Sequence, residues 1–260
     1  MINCREEELR TAMLLGTSAI EKLHGAHVAV FGVGGVGGYA VEGLARSGIG
    51  AFDLIDNDVV CESNLNRQII ATEKTIGCYK ADVAKDRILS INPSAVVNVY
   101  RTFYLPETAG QFDFSNYDYV VDAIDTVTGK IALVLQAQAA NVPVISSMGA
   151  GNKTDPTRFK VTDIYQTSVD PLAKIMRTAL KKRGVKKLKV VWSDESPVSS
   201  VSPAYPDEEK NSPLCAEGKI SPVRRSVPGS LAFVPSVVGL IIAGEVVKDI
   251  AKVTFSRKGQ

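Results

Sequence analysis

The chain reads as an α/β protein, a doubly wound and mostly parallel sheet carrying a C-terminal extension. Three observations predict this. From Ala26 to Ser147 short β-branched runs alternate with longer helix-compatible stretches, the rhythm of parallel strands joined by crossover helices. A glycine-rich turn stands in VAVFGVGGVGG at 28–38, between the first predicted strand and the first helix of that alternation. The strand ends at Gly32, Asp56, Asp125 and Met148 fall on one sheet edge, where open α/β sheets bind their ligands.

In chain order, 1–25 is expected to form N-terminal helices, 26–150 the Rossmann-like nucleotide-binding core, 151–192 a basic helix and a strand, 193–230 a mobile, lid-like loop, and 231–260 a strand and a helix, all within one domain. Strands are expected at Val28–Phe31, Ala51–Ile55, Val96–Tyr100, Tyr119–Ala123 and Val142–Ser146, with helices near 38–47, 79–91 and 128–140. After Pro171, the residues Leu172, Ile175, Met176, Ala179 and Leu180 space out as the buried stripe of an amphipathic helix, which Gly184 would close. Six of the twelve prolines and nine serines lie in 193–230, a composition that does not sustain regular structure. Residues 226–244 carry no charge, but Pro235 confines an uncharged helix to about nine residues, on the order of 13 Å against a ~30 Å hydrocarbon core. A core or dimer-interface helix is therefore favoured over membrane contact.

With 260 residues, 45% of them hydrophobic and 22% charged, the chain can bury a full globular core. Glu6, Glu7 and Glu8 sit where a secretory signal would need an apolar run, so a cytoplasmic location is expected. The four cysteines at 4, 61, 78 and 215 form no CxxC pair, which argues for free thiols and against a structural zinc site. Net charge is only +2, yet 174–189 holds eight basic residues and no acid, implying a local positive field. His24 and His27, at the approach to the first strand, are read as structural.

Gly32, Gly34 and Gly37 supply GxGxxG between a strand and a helix, a context in which backbone approaches phosphate and the helix N-terminus favours an anion. Asp56 ends the second strand, placed for ribose hydroxyls. These features alone fit a dehydrogenase, or a turn with no ligand. The following loop redirects the reading: Ser63, Asn64, Asn66, Arg67 and Gln68 crowd together and Lys80 follows. Hydride transfer needs an apolar face for nicotinamide, whereas adenylation needs cations where charge builds on the α-phosphate and departing pyrophosphate. Arg67 and Lys80 supply them, and Asp125 in VVDAIDT offers a hard oxygen for Mg²⁺. The structural alternatives are a helix N-cap for Asp125 and a surface ion pair for Arg67.

Residues 9–150 resemble the ubiquitin-activating-type adenylyltransferases, the superfamily of the ThiF and MoeB proteins, through LRTAMLLG at 9–16, GVGGVGG at 32–38, DNDVVCESNLNRQ at 56–68, GCYK at 77–80 and DAIDT at 122–126. The resemblance implies a homodimeric doubly wound fold with ATP and Mg²⁺ as cofactors. It places Gly35, Asp56, Asn66, Arg67, Lys80 and Asp125 on ATP or its metal, with Gly32, Gly34, Gly37, Asp58, Gln68 and Thr126 completing the nucleotide-binding set. Arg10 would reach into the partner's site. Superfamily members that activate sulfur carriers commonly hold zinc in two CxxC pairs, absent here. The stretches at 146–184, 187–197 and 229–250 instead resemble the tRNA threonylcarbamoyladenosine dehydratase branch.

That resemblance implies ATP-dependent cyclisation of a carboxylate-bearing base beside the tRNA anticodon, through an acyl adenylate, with no protein nucleophile. Cys215 has no neighbouring histidine to activate it. A tRNA substrate would also account for the basic residues Lys181, Lys182, Arg183, Lys186 and Lys187, which can follow phosphates. A solvated basic face without a partner is the alternative. A sulfur-transfer protein is a further partner considered. Competing readings are an adenylyltransferase acting on the C-terminal glycine of a ubiquitin-like sulfur carrier, and an adaptor that binds ATP without turning it over.

Overall fold

In a computed structural model, which describes residues 5–199 and 228–252, the β-branched runs form a seven-stranded sheet. The strands are β1 His27–Phe31, β2 Ala51–Ile55, β3 Val96–Tyr100, β4 Tyr119–Asp122, β5 Val144–Ser147, β6 Phe159–Asp163 and β7 Lys189–Ser193. Their order is β3-β2-β1-β4-β5-β7-β6. All neighbours run parallel except β6, which lies antiparallel to β7. The order reverses at β1, flanked by β2 on one side and β4 on the other, so the crevice beyond the carboxyl ends of β1 and β4 is the topological switch point.

The described helices are α1 Leu9–Leu15, α2 Thr17–Gly25, α3 Gly37–Arg46, α4 Lys80–Ile91, α5 Val127–Ala139, α6 Pro171–Lys182 and α7 Phe233–Ala251. One sheet face buries Val28, Val30, Phe52, Leu54 and Val121 against α2, α3, α4 and α7. The other buries Ala29, Phe31 and Val120 against α5, and Val190 and Trp192 against α6. Strands covered on both faces read as continuous apolar runs, which is why HVAVF and YVVD do not alternate.

Several expectations are corrected. The buried stripe of α6 is Ala173, Met176 and Leu180, while Ile175 is 51% exposed; Ala173, three residues before Met176, shares its face and packs with it in the core, and Ile175 falls outside that stripe. The C-terminal helix starts two residues ahead of Pro235, because proline is accepted in a first turn where its N–H would have no partner. It packs on α3 through Val238, Ile242 and Val246 in the main core. No strand occurs between 228 and 252, and 253–260 lie outside the described residues, as do Cys4, Cys215 and most of the expected loop at 193–230. Cys61 takes part in a disulfide, against the expectation of free thiols, while Cys78 is free. Among the described residues no helix is long and apolar enough to cross a membrane.

Candidate active site

The chain leaves β1 at Gly32, which adopts φ +87° and donates its N–H to Ile55 O at 2.8 Å. A Cβ here would lie 2.7 Å from Ala123 O, so only glycine lets the loops after β1 and β4 meet. Gly34 and Gly35 follow, the first facing Gln68 and the second facing Pro235 of α7. With Gly37 the chain enters α3, whose N-cap position is Val36 and has no side-chain cap. The open amides and the helix dipole form a ready anion site.

Asp56 follows β2 and its carboxylate accepts Val33 N–H at 2.7 Å and Asp58 N–H at 2.8 Å. Burial holds this carboxyl above the ordinary carboxylate value, with Lys80 opposing and Asp58 adding to the shift. Lys80 opens α4 and is buried. Its ammonium donates to Asp58 Oδ2 at 2.8 Å and its N–H to Asp58 O at 2.9 Å. Arg67 donates to Ser63 O and to Asn66 Oδ1, each at 2.8 Å, and forms no ion pair among the described residues, so its charge is not spent on a carboxylate. Asn66 in turn donates to Ser230 O at 3.1 Å. Gln68 is buried and its Oε1 has no partner, an orphaned acceptor beside the glycine loop.

Asp125 is exposed past the end of β4. The N-cap of α5 is Thr126, without a cap bond, so Asp125 does not serve as the cap. Its Oδ1 accepts the Thr126 hydroxyl at 3.4 Å. The structure thus gathers Gly32, Gly34, Gly35, Gly37, Asp56, Asp58, Asn66, Arg67, Gln68, Lys80, Asp125 and Thr126 at the carboxyl edge of β1, β2 and β4. Arg10 is not among them. It follows Glu8, whose carboxylate bonds His24 at 2.6 Å, near the opposite edge where β1 begins.

Of the eight basic residues, Arg177 donates to Thr167 O at 2.9 Å and Lys189 to Asp249 at 2.6 Å. Lys174, Lys181, Lys182, Arg183, Lys186 and Lys187 are exposed and form no ion pair among the described residues. Lys174 lies near the ligand edge. The other five cluster at the far end of α6, which at 12 residues spans roughly 18 Å.

Sequence reasoning missed a fully buried group beneath the site. Lys130 of α5 donates to Asp122 Oδ1 at 3.0 Å and to Ser146 Oγ at 3.2 Å, and Ser146 Oγ donates to Asp122 Oδ2. The triad ties the tips of β4 and β5 to α5, directly under the loop that carries Asp125. Asp122 stood within the DAIDT motif, but nothing in the sequence marked Lys130 as its partner. Also missed was the loop after β5, where Asp170 accepts Gly149 N–H at 3.0 Å and Asn152 pairs with Gly229, N–H to O at 2.8 Å and Oδ1 from N–H at 2.7 Å.

Residues 8–258 match the model of the ThiF family. A tRNA threonylcarbamoyladenosine dehydratase from Bacillus subtilis (strain 168) is 46% identical over 244 residues, 94% of this chain and 94% of that protein. Among solved structures, the E. coli tRNA N6-threonylcarbamoyladenosine dehydratase TcdA in complex with ATP is similar with TM-score 0.81 and 36% identity, over 95% of each chain. The same E. coli enzyme in complex with AMP gives TM-score 0.80 and 35% identity, covering 94% of this chain and 93% of that one.

Proposed function

The chain belongs to the ThiF family, and on that premise we propose that it is an ATP-dependent tRNA threonylcarbamoyladenosine dehydratase. The observation that carries the reading is the meeting of the glycine loop, Asp56, Lys80 and Asp125 at the switch point of a sheet similar along its length to an ATP-bound dehydratase. The substrate ends in a carboxylate, whose oxygen would have to leave as hydroxide for the base to cyclise directly.

In the first step a carboxylate oxygen attacks the α-phosphorus of ATP and pyrophosphate departs, leaving an acyl adenylate. Asp56 holds the ribose, the α3 amides and the glycine loop hold phosphate oxygens, and Lys80 and Arg67 meet the charge that grows on the pyrophosphate. In the second step a neighbouring group of the same modified base attacks the activated carbonyl and loses its proton. AMP leaves with the oxygen. The balance is ATP plus modified tRNA giving AMP, pyrophosphate and a tRNA lighter by one water. Because nucleophile and electrophile belong to one nucleoside, proximity drives the ring closure and no protein nucleophile is needed.

Mg²⁺ would be held at Asp125, where it supplies Lewis-acid stabilisation of phosphate oxygens. Among the described residues no group of three or more His, Cys, Asp or Glu can hold a metal alone, so the donor set fits an ion that takes its remaining ligands from phosphates. Lys174, Lys181, Lys182, Arg183, Lys186 and Lys187 take the RNA backbone. The molecule works as a homodimer: α1 exposes Met13 by 82% and Leu14 by 77%, apolar surface suited to a second copy, and Arg10 beside it would then serve the partner's site. A cytoplasmic location fits ATP and tRNA as substrates.

The test incubates the protein with ATP, Mg²⁺ and tRNA bearing threonylcarbamoyladenosine, digests the RNA, and follows the nucleoside by mass spectrometry. A product lighter by one water, dependent on ATP and lost in Asp125→Ala, is expected. Absence of that product, with pyrophosphate exchange driven by a sulfur-carrier protein, overturns the reading.

A further inference from the structure

Asp170 is fully buried and joins two parts of the molecule that the reaction uses separately. One carboxylate oxygen accepts Ala173 N–H at 2.9 Å and caps α6, the helix that carries Lys174, Lys181 and Lys182. The other accepts Gly149 N–H at 3.0 Å. Gly149 lies two residues beyond β5, in the loop on the same sheet edge as Gly32 and Ala123. A single side chain therefore holds both the first turn of the basic helix and a wall of the adenylation crevice.

The junction is tightly built. A Cβ added to Gly149 would lie 3.0 Å from Asp170 Oδ2 and 3.4 Å from Oδ1. The residue before Asp170, Val169, is held at φ +57°, a left-handed conformation that a β-branched residue keeps only where its surroundings impose it. Lys153, further along the Gly149 loop, is buried and donates to Glu195 O, and the charge of Asp170 acts on it. The loop, the cap and a buried ammonium form one connected group.

We infer that Asp170 is a positioning residue that couples occupancy of the basic helix by RNA to the placement of the Gly149–Lys153 loop against the reacting carboxylate. The inference rests on the reading that α6 binds tRNA. Phosphates bound near Lys181 and the base at the crevice are separated by roughly the length of α6, about 18 Å. A helix moves as a rigid body, so a shift of its first turn reaches the loop through the Asp170 carboxylate. Coupling of two sites needs a physical element that both bias, and the Asp170 carboxylate is the element bonded to the helix and to the loop.

Two variants of the full chain test it. Gly149→Ala pushes the loop off the carboxylate while leaving the cap on Ala173. Asp170→Asn keeps one oxygen for the cap and turns an NH₂ toward the Gly149 N–H. Both are expected to lower kcat for tRNA dehydration about tenfold or more while KM for tRNA and ATP stays within about twofold. A kcat within about twofold of the unaltered protein, or a rise in KM at constant kcat, overturns the inference.

Hydrogen exchange on the unaltered protein with tRNA lacking the modification gives a readout independent of variant folding. Protection of both α6 and residues 148–153 is expected. Protection of α6 alone overturns the coupling and leaves the RNA reading standing. No protection of α6, together with a tRNA KM unchanged in Lys174→Ala and Lys181→Ala, overturns both.

Discussion

The ammonium of Lys80 sits 2.8 Å from Asp58 Oδ2 while the backbone N–H of the same lysine donates to Asp58 O. Asp58 therefore fixes both ends of the first residue of α4 at the nucleotide edge, and the buried charge is aimed before any ligand arrives. Preorganised charge of this kind needs no rearrangement as the transition state forms. Lys80→Ala is expected to lower the rate of pyrophosphate release on the order of 10²-fold at saturating ATP and tRNA. A rate within a few-fold of the unaltered protein would remove Lys80 from the chemistry.

Gly32→Ala combines a φ of +87° with a Cβ placed 2.7 Å from Ala123 O. The strained backbone alone costs about 1–3 kcal/mol, and the clash separates the loops after β1 and β4. Urea denaturation should report the lost stability and isothermal titration the lost ATP affinity. Unchanged ATP affinity would mean that the approach of the two loops does not shape the site.

Lys130 is 1% exposed and Asp122 fully buried. Replacing one partner leaves an uncompensated buried charge, so Lys130→Met is expected to destabilise the fold by about 3–5 kcal/mol. The double variant Lys130→Met with Asp122→Asn removes both charges and should recover much of that loss. Equal denaturation midpoints for the single and double variants would refute an ion-pair account.

The exposed lysines of α6 predict a salt dependence. Each phosphate contact removed from single-stranded RNA lowers the slope of log K against log salt by about 0.7. Lys181→Ala and Lys182→Ala should each reduce the slope for tRNA binding, measured by filter binding across a salt series, with little change in discrimination between tRNAs. An unaltered slope would leave these residues as a solvated face.

His27 Nε2 lies 2.8 Å from Asp53 Oδ1. The bond to Asp53 raises the His27 pKa against the desolvation that would lower it. Burial alone would raise Asp53, but bonds from His27, Asn98 and Tyr117 bring it below its ordinary value. For a raised histidine the stabilisation is complete below the unfolded pKa of about 6.5 and is lost as pH rises through the higher folded value. A Tm series from about pH 6 to about pH 9 should fall more in the unaltered protein than in His27→Gln. Parallel profiles would show that the pair contributes nothing.

The nucleotide half was legible because its signals are local. Val28–Phe31, the glycine turn and the helix after it occupy one short stretch of chain, and strand residues, a positive-φ glycine and a helix start each follow from neighbours a few positions away. Arg67 and Lys80 were readable as cations suited to a triphosphate. The side of α6 that Ile175 occupies is not legible in the sequence, because apolar spacing leaves the helix phase open by one residue where Ala173 competes. The start of α7 at Phe233 is hidden in the sequence by Pro235, which reads as a boundary although a first turn accepts it.

By itself the sequence determined the α/β class, the positions of the five parallel strands through β5 and the glycine turn that follows β1, since each depends on residue type and short-range spacing. Tertiary structure alone decided that Lys130 pairs with Asp122 and Ser146, that one Asp170 carboxylate serves both Gly149 and Ala173, and that Arg10 stands apart from its own chain's nucleotide loop. Those relations join residues from separate elements. They exist only once strand order, strand register and helix packing have brought distant backbone segments within hydrogen-bond reach, a distance of about 3 Å that no local pattern encodes.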